Sequence, residues 1–88
     1  MNDNAIFNEL IDIIGEYVTD KQLLAEAAPG TDIIKGLRVN SARLVDIIIK
    51  VEDTFAIEID DDDADAIKTI GDAVNVVRRK KASLGAAA

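Results

Sequence analysis

The stretch SARLVDIIIKVEDTF, residues 41–55, decides the fold of this 88-residue chain. Its apolar residues recur at steps of three and four, which is the period of an amphipathic helix. The three consecutive isoleucines, residues 47–49, would also suit a β-strand, because β-branched residues favour sheets. The longer helical spacing and the charges at residues 46, 50 and 52 decide for a helix. The expected core stripe is Leu44, Ile47, Ile48, Val51 and Phe55.

The segments on either side of this stretch predict further helices and no strand pair. Residues 5–18 have helical periodicity, and residues 21–28 can add a turn or two before the Pro29-Gly30 break. The acidic run at residues 60–65 begins a brief helix, since the helix dipole favours acids at its N-terminal end. Thr69 and Asp72 have the spacing of a capping box, so the last helix begins there.

We therefore predict an all-α fold, a small four-helix bundle with three main helices plus one short helix. A long loop, residues 19–40, separates helices one and two, and Ile33, Ile34 and Leu37 are expected to pin it to the core. Residues 1–81 form the predicted domain, and residues 82–88 are expected to be a disordered tail. A chain of this length forms one small domain, and a monomer is the simpler expectation.

The composition argues against an enzyme and against nucleic acid as a partner. The chain has no His and no Cys, so the commonest general base, a strong nucleophile and the usual zinc ligands are missing. Its net charge of −7 repels phosphates and favours partners with basic patches. The N-terminus lacks a basic signal region, and no apolar run approaches the roughly twenty residues of a membrane span. A cytoplasmic protein is expected.

The acidic run also raises the question of a calcium loop. An EF-hand loop that began at Asp61 would have acids at positions one, three and five. Its sixth position would be Ala66 where glycine is needed, and its eighth would be Lys68 where an apolar residue belongs. We therefore expect no specific metal site. Weak divalent-cation binding and a solvated helix start both remain open.

From Leu37 to Val74 the chain resembles the acyl carrier proteins, small helical bundles that carry acyl groups on a phosphopantetheine arm. The family pattern reads L-G-x-D-S-L, then a hydrophobic helix ending in E-E-x-F, I-x-I-P, a run of acids and I-x-T-[VI]-x-D-[AL]-[VI]. The resemblance extends over about residues 5–79. The matching positions are Leu37, Ser41, Val45, Ile48, Glu52, Phe55, Ile57, Ile59, Ala64, Ile67, Thr69, Ile70 and Ala73.

Several positions depart from this pattern. Arg43 and Lys50 place positive charge on a helix face that is usually acidic in the family. This chain is therefore a divergent member, and we expect it to serve specialised partners. The residues that replace the glycine, aspartate, leucine and proline of the pattern are Arg38, Asn40, Ala42 and Asp60.

The resemblance implies that Ser41 is the attachment point of a covalent 4′-phosphopantetheine, with Asn40 as the helix cap beside it. At a helix start the first backbone N–H groups lack internal partners and favour an anion such as a phosphodiester. The arm ends in a thiol, which would supply the thioester chemistry that a cysteine-free chain lacks. From the residues alone, a helix cap or an ordinary first-turn residue is the favoured interpretation of Ser41.

The resemblance also implies an apolar refuge for the carried chain between helix two and the later helices. The residues expected to line this acyl pocket are Ile48, Val51, Ile59, Ala64, Ile67 and Ala73. The outer face of helix two is the expected docking surface for partner enzymes. Its residues are Ala42, Val45, Asp46, Ile49, Glu52 and Asp53.

The implied partners are a phosphopantetheinyl transferase and acyl-loading and acyl-transferring enzymes with basic docking patches. They would belong to fatty acid, lipid or polyketide-type synthesis. A second interpretation is a carrier-like interaction module that is never modified, and the departures at Asn40 and Ala42 motivate it. The two interpretations differ in whether Ser41 accepts the arm.

Overall fold

A computed structural model describes residues 2–87, with side chains described for residues 2–83, and its regular structure is helical. Within residues 2–87 the only β-type pairing is an isolated bridge between Asp32 and Thr69. The all-α prediction is confirmed. The long loop contains two short helices: one at Lys21–Ala25, where the sequence allowed a turn or two, and one at Ile33–Gly36, which the sequence did not predict. The six helices are α1 (Asp3–Gly15), α2 (Lys21–Ala25), α3 (Ile33–Gly36), α4 (Arg43–Phe55), α5 (Asp61–Ala66) and α6 (Ile70–Ala87).

Side-chain caps fix where several helices begin. The Asn2 side chain accepts a hydrogen bond from the Ala5 N–H at 2.8 Å and starts α1. At the start of α6, the Asp72 N–H donates to Thr69 Oγ1 and the Thr69 N–H donates to Asp72 Oδ2, both at 3.0 Å. These reciprocal bonds are the predicted capping box, with aspartate as its acid.

The core lies where α1 packs against α4 and α6. In α4 the side chains of Ile47, Val51 and Phe55 are buried, while Leu44 and Ile48 are half-buried. The predicted stripe therefore faces inward, and its first residue lies at the edge of the core. The largest fully buried side chains are Ile6, Leu10, Ile14, Ile33, Leu37, Ile70 and Val77.

The connection from α2 to α4 is tied to the start of α6. The Ile33 N–H donates to the Lys68 carbonyl oxygen at 3.0 Å, and the Ile70 N–H donates to the Thr31 carbonyl oxygen at 3.1 Å. A Cβ at Gly71 would lie 2.9 Å from the Pro29 carbonyl oxygen, so the close approach requires glycine there. As predicted, the connection is pinned to the core, by Ile33 and Leu37; Ile34 is only half-buried.

The last helix is longer than predicted. Its described backbone is helical to Ala87, past the predicted end at Lys81. The alanine-rich sequence after Lys81 has high helix propensity, which is consistent with this extension. We predicted a domain of residues 1–81 followed by a disordered tail, residues 82–88. No change of secondary structure marks this division in residues 82–87. Ala88 lies outside the described residues.

None of the helices in the described part of the chain combines the length and apolar character needed to cross a membrane.

Ala56 ends α4 in the left-handed conformation, with φ 55° and ψ 48°. Only glycine adopts this conformation without a steric cost, so we expect Ala56→Gly to raise the free energy of unfolding by about 1 kcal/mol. Ala82→Gly, at an exposed position inside α6, is the control and should lower that energy, since glycine disfavours helices. Urea denaturation measures both, and an Ala56→Gly variant no more stable than the parent chain would contradict the expectation.

Candidate functional site

Ser41 lies in a turn directly before α4, with its side chain exposed. Asn40 organises this turn: its Oδ1 accepts a hydrogen bond from the Ala42 N–H at 2.9 Å, and its carbonyl oxygen accepts one from the Arg43 N–H at 2.8 Å. Asn40 was predicted to cap the helix, but its side chain closes the turn that precedes α4. The N-cap residue of α4 is Ala42, which makes no side-chain cap hydrogen bond, and the helix begins two residues later than expected. The Ser41 hydroxyl is not required as a cap.

Two buried side chains hold the backbone just before Ser41. Leu37 is 1% exposed and Val39 is 3% exposed. Between them Arg38 has φ 55°, in the left-handed region. This position matches the glycine of the family pattern, and the structure gives the reason, because the turn needs a positive φ there.

A cleft of about 410 Å³ opens between α3, α4 and α5. The Leu44 N–H donates to the Ser41 carbonyl oxygen at 3.2 Å, so the serine adjoins the first residue of the cleft wall. The apolar lining residues are Ile33, Ile34, Leu44, Ala64 and Ile67. The polar residues at its edges are Asp32, Lys35, Asp65 and Lys68.

Only Ala64 and Ile67 of the six predicted pocket residues line this cleft. Val51 and Ala73 are buried elsewhere in the core, while Ile48 and Ile59 are half-buried. Sequence analysis missed Ile33, Ile34 and Leu44 as lining residues. Leu44 lies three residues after Ser41, about one helical turn, and this spacing could have indicated it as a lining residue.

Two further clefts lie away from Ser41. One, of about 550 Å³, lies between the end of α4 and α6 and includes Glu52, Ile57 and Lys80. The other, of about 480 Å³, lies between α1, the Pro29 loop and α6 and includes Phe7 and Ala28. We consider the smaller cleft beside Ser41 the candidate site, because only its lining contacts the serine turn.

The acidic helix α5 forms one wall of the candidate cleft and is held by charge. Lys80 Nζ lies 2.8 Å from Asp63 Oδ2, and Arg79 Nη2 donates to Asp63 Oδ1 at 3.1 Å. The hydrogen bond from Lys80 lowers the pKa of Asp63, and the same bond raises the pKa of Lys80. These contacts join α5 to α6 and so fix the position of the wall.

The geometry of α5 also decides the question of an EF-hand. Asp61–Ala66 is a helix, with Asp60 Oδ1 accepting the Asp63 N–H at 2.8 Å, so these acids do not form a calcium-binding loop. Among the described residues no group of three or more acidic side chains is arranged to hold a metal ion. The acids of α5 begin and anchor a helix.

The outer face of α4 carries the two large hydrophobic side chains that are exposed in the described residues. Val45 is 60% exposed and Ile49 is 51% exposed. Of the other predicted docking residues, Ala42 and Asp53 are exposed, and Asp46 is half-buried and pairs with Arg43 at 3.1 Å. Glu52 is half-buried, and its Oε2 accepts the Ile59 N–H at 2.8 Å, so it helps to hold the loop after α4.

Comparison with known proteins places this geometry in a family. The family described as "Phosphopantetheine attachment site" matches residues 9–77. The chain belongs to the acyl carrier protein family. An acyl carrier protein of Lactobacillus acidophilus is 38% identical over 79 residues, which cover 89% of this chain and 95% of that protein. One from Desulforapulum autotrophicum is 36% identical over 69 residues, covering 68% of this chain and 90% of that protein.

The fold agrees with a solved acyl carrier protein structure. The structure of the Enterococcus faecalis acyl carrier protein superposes with a TM-score of 0.74 at 24% identity, covering 91% of this chain and 99% of that one. The resemblance inferred from the sequence is thus confirmed. The chain is a phosphopantetheine-dependent carrier protein, and not an enzyme.

The ion pairs of Asp63 predict how the stability of this carrier depends on pH. The lowered pKa of Asp63 contributes stability that is present above the ordinary aspartate pKa of about 3.9 and is lost as pH falls through the folded value. We therefore expect Asp63→Asn to flatten the fall in unfolding free energy below about pH 4. Asp72 keeps part of the slope, because backbone hydrogen bonds from Thr69 and Lys68 lower its pKa too.

Urea denaturation between about pH 2 and pH 5 measures this slope. The control is Asp62→Asn, an exposed neighbour on the same helix that makes no ion pair within the described residues. Equal slopes for Asp63→Asn and the parent chain would contradict the assignment.

Proposed function

We propose that this chain carries acyl groups as thioesters on a 4′-phosphopantetheine arm attached to Ser41. One observation carries the proposal: Ser41 is exposed in a turn that the Asn40 side chain closes, and no side chain in the described residues caps α4, so the hydroxyl can be modified without loss of the helix start. Ser83 is the only other serine in the sequence, and it lies outside the matched residues 9–77.

The surroundings of Ser41 suit a phosphodiester. The thirteen-residue helix α4 begins two residues later, and the positive end of its dipole favours an anion there. Asn40 supplies the acceptor oxygen that an aspartate would supply, but without adding negative charge beside the phosphate. When bound, the phosphopantetheine supplies the thiol that forms the thioester, and the chain itself contains no cysteine.

The cleft beside Ser41 is our proposed refuge for the carried acyl chain. Five of its nine lining residues are apolar, and one of them, Leu44, is hydrogen-bonded to the serine turn. An acyl chain in this cleft would lie between α4 and the short helix α5, as the sequence suggested. The proposed lining differs from the predicted one and consists of Ile33, Ile34, Leu44, Ala64 and Ile67.

We further propose that partner enzymes dock on the outer face of α4. The exposed Val45 and Ile49 are a pair of apolar contacts, and the acidic Asp46 and Asp53 are on the same helix. This combination suits a transient interface with a basic patch on the partner. The partners would be a phosphopantetheinyl transferase and acyl-loading and acyl-transferring enzymes of fatty acid, lipid or polyketide-type synthesis, with the cytoplasm as the site of action.

Incubation with coenzyme A and a broad-specificity phosphopantetheinyl transferase tests the attachment. We expect the intact mass to rise by one phosphopantetheine in the parent chain and in Ser83→Ala, and to stay unchanged in Ser41→Ala. The Ser83→Ala variant is the matched control, because Ser83 is also exposed. A parent chain that gains no mass with several transferases would instead favour the unmodified interaction module.

Substitution in the cleft tests the refuge for the acyl chain. Octanoylation of the arm should raise the melting temperature of the parent chain by about 4 °C or more, because buried methylene groups stabilise the folded state. Ala64→Phe fills the cleft, so we expect it to remove at least about half of this gain, measured within the variant between its holo and octanoyl forms.

Ala28→Phe, in the separate cleft beside Phe7, is the control and should keep the full gain. Unequal stabilities of the two variants do not affect the comparison, since each variant is its own reference. An undiminished octanoyl gain in Ala64→Phe would rule out this cleft as the refuge.

A further inference from the structure

The backbone conformation of Arg38 is strained, and no contact of its side chain among the described residues offsets that strain. Its φ of 55° lies in the left-handed region, which an arginine rarely adopts and a glycine adopts freely. Its side chain is exposed and makes no ion pair or side-chain hydrogen bond with another residue in the described part of the chain. The folded state would therefore be more stable with glycine there, and the arginine serves no structural purpose that we can identify.

The charge around Ser41 is opposite to that of the rest of the chain. Residues 33–45 contain Lys35, Arg38 and Arg43 and no acidic residue. The rest of the chain has seven cations against seventeen acids. A cationic segment thus surrounds the attachment serine in an acidic protein, and it would attract a negatively charged group at this position.

Of these three cations, Arg38 is closer to Ser41 along the chain than Lys35 and, unlike Arg43, makes no ion pair in the described residues. Arg43 is paired with Asp46, and Lys35 lies at the cleft, on α3. The neighbours of Arg38 on both sides, Leu37 and Val39, are buried, so its Cα is held in place. Ser41 is the third residue after Arg38, so their Cα atoms are at most about 11 Å apart, within reach of an arginine and a modified serine together.

We propose that Arg38 is a positioning residue that binds the phosphodiester of the arm once the arm is attached to Ser41. The inference rests on the proposed attachment. A guanidinium pairs with phosphate oxygens through two parallel N–H···O bonds, which a flexible ammonium matches less well in geometry. Such an ion pair would orient the arm where it joins Ser41. It would offset the backbone strain at Arg38 only in the modified protein.

The test is a thermodynamic cycle between apo and holo forms, with intact mass confirming that the arm is present. In the apo protein Arg38→Gly removes the backbone strain at this position, so we expect the melting temperature to rise by about 4 °C. In the holo protein the same substitution also removes the phosphate contact, and the rise should fall to less than about half of that. High salt should bring the two rises together, because it screens the pair.

Ala56→Gly is the matched control, since Ala56 has the same φ of 55° and no charge, and its gain should be equal in apo and holo forms. Arg38→Lys keeps the charge and the backbone cost but loses the two parallel hydrogen bonds, so it should keep only part of the holo-minus-apo difference in melting temperature of the parent chain. Equal gains for Arg38→Gly in both forms would overturn the inference while leaving the attachment at Ser41 intact. A parent chain that acquires no arm at all would overturn the attachment, and the role of Arg38 with it.

Discussion

The fixed path of the chain between α2 and α4 is the constraint on which the rest of the structure depends. Ile33, Leu37 and Val39 are inserted into the core, and the backbone from residue 29 to residue 33 is hydrogen-bonded to the segment that begins α6. Without these contacts a connection of this length would be free to move. With them, the exposed serine is held between a buried anchor and the start of a helix.

This arrangement separates two requirements that compete in a small protein. In the proposed function the serine must be accessible to other enzymes, while a carried acyl chain must be kept from water. The fixed connection holds Ser41 outward, and Leu44, three residues later, begins the wall of a cleft that leads inward. The opposite wall is α5, which has only six residues and is joined to α6 by the ion pairs of Asp63.

The sequence predicted the elements that have a strong period or a specific cap. The apolar stripe of α4 and the Thr69–Asp72 capping box both depend on local spacing, and both were predictable. Helix α3 was not, because four residues show no periodicity. The cleft lining was predicted poorly for a related reason: Ile34 lies on α3, and its position beside Leu44 depends on tertiary packing. The left-handed backbone at Arg38 could not be predicted from the residue itself, because arginine does not favour that conformation. Only the glycine at this position of the family pattern indicated it.

Localisation of the arm by tandem mass spectrometry tests the central claim most directly. The protein would be co-expressed with a phosphopantetheinyl transferase, digested and fragmented, so that the modified residue is identified and not only the added mass. Our account predicts the arm on the peptide that contains Ser41, with fragment ions that place it on that residue. An arm found on Ser83, or on any residue other than Ser41, would contradict it.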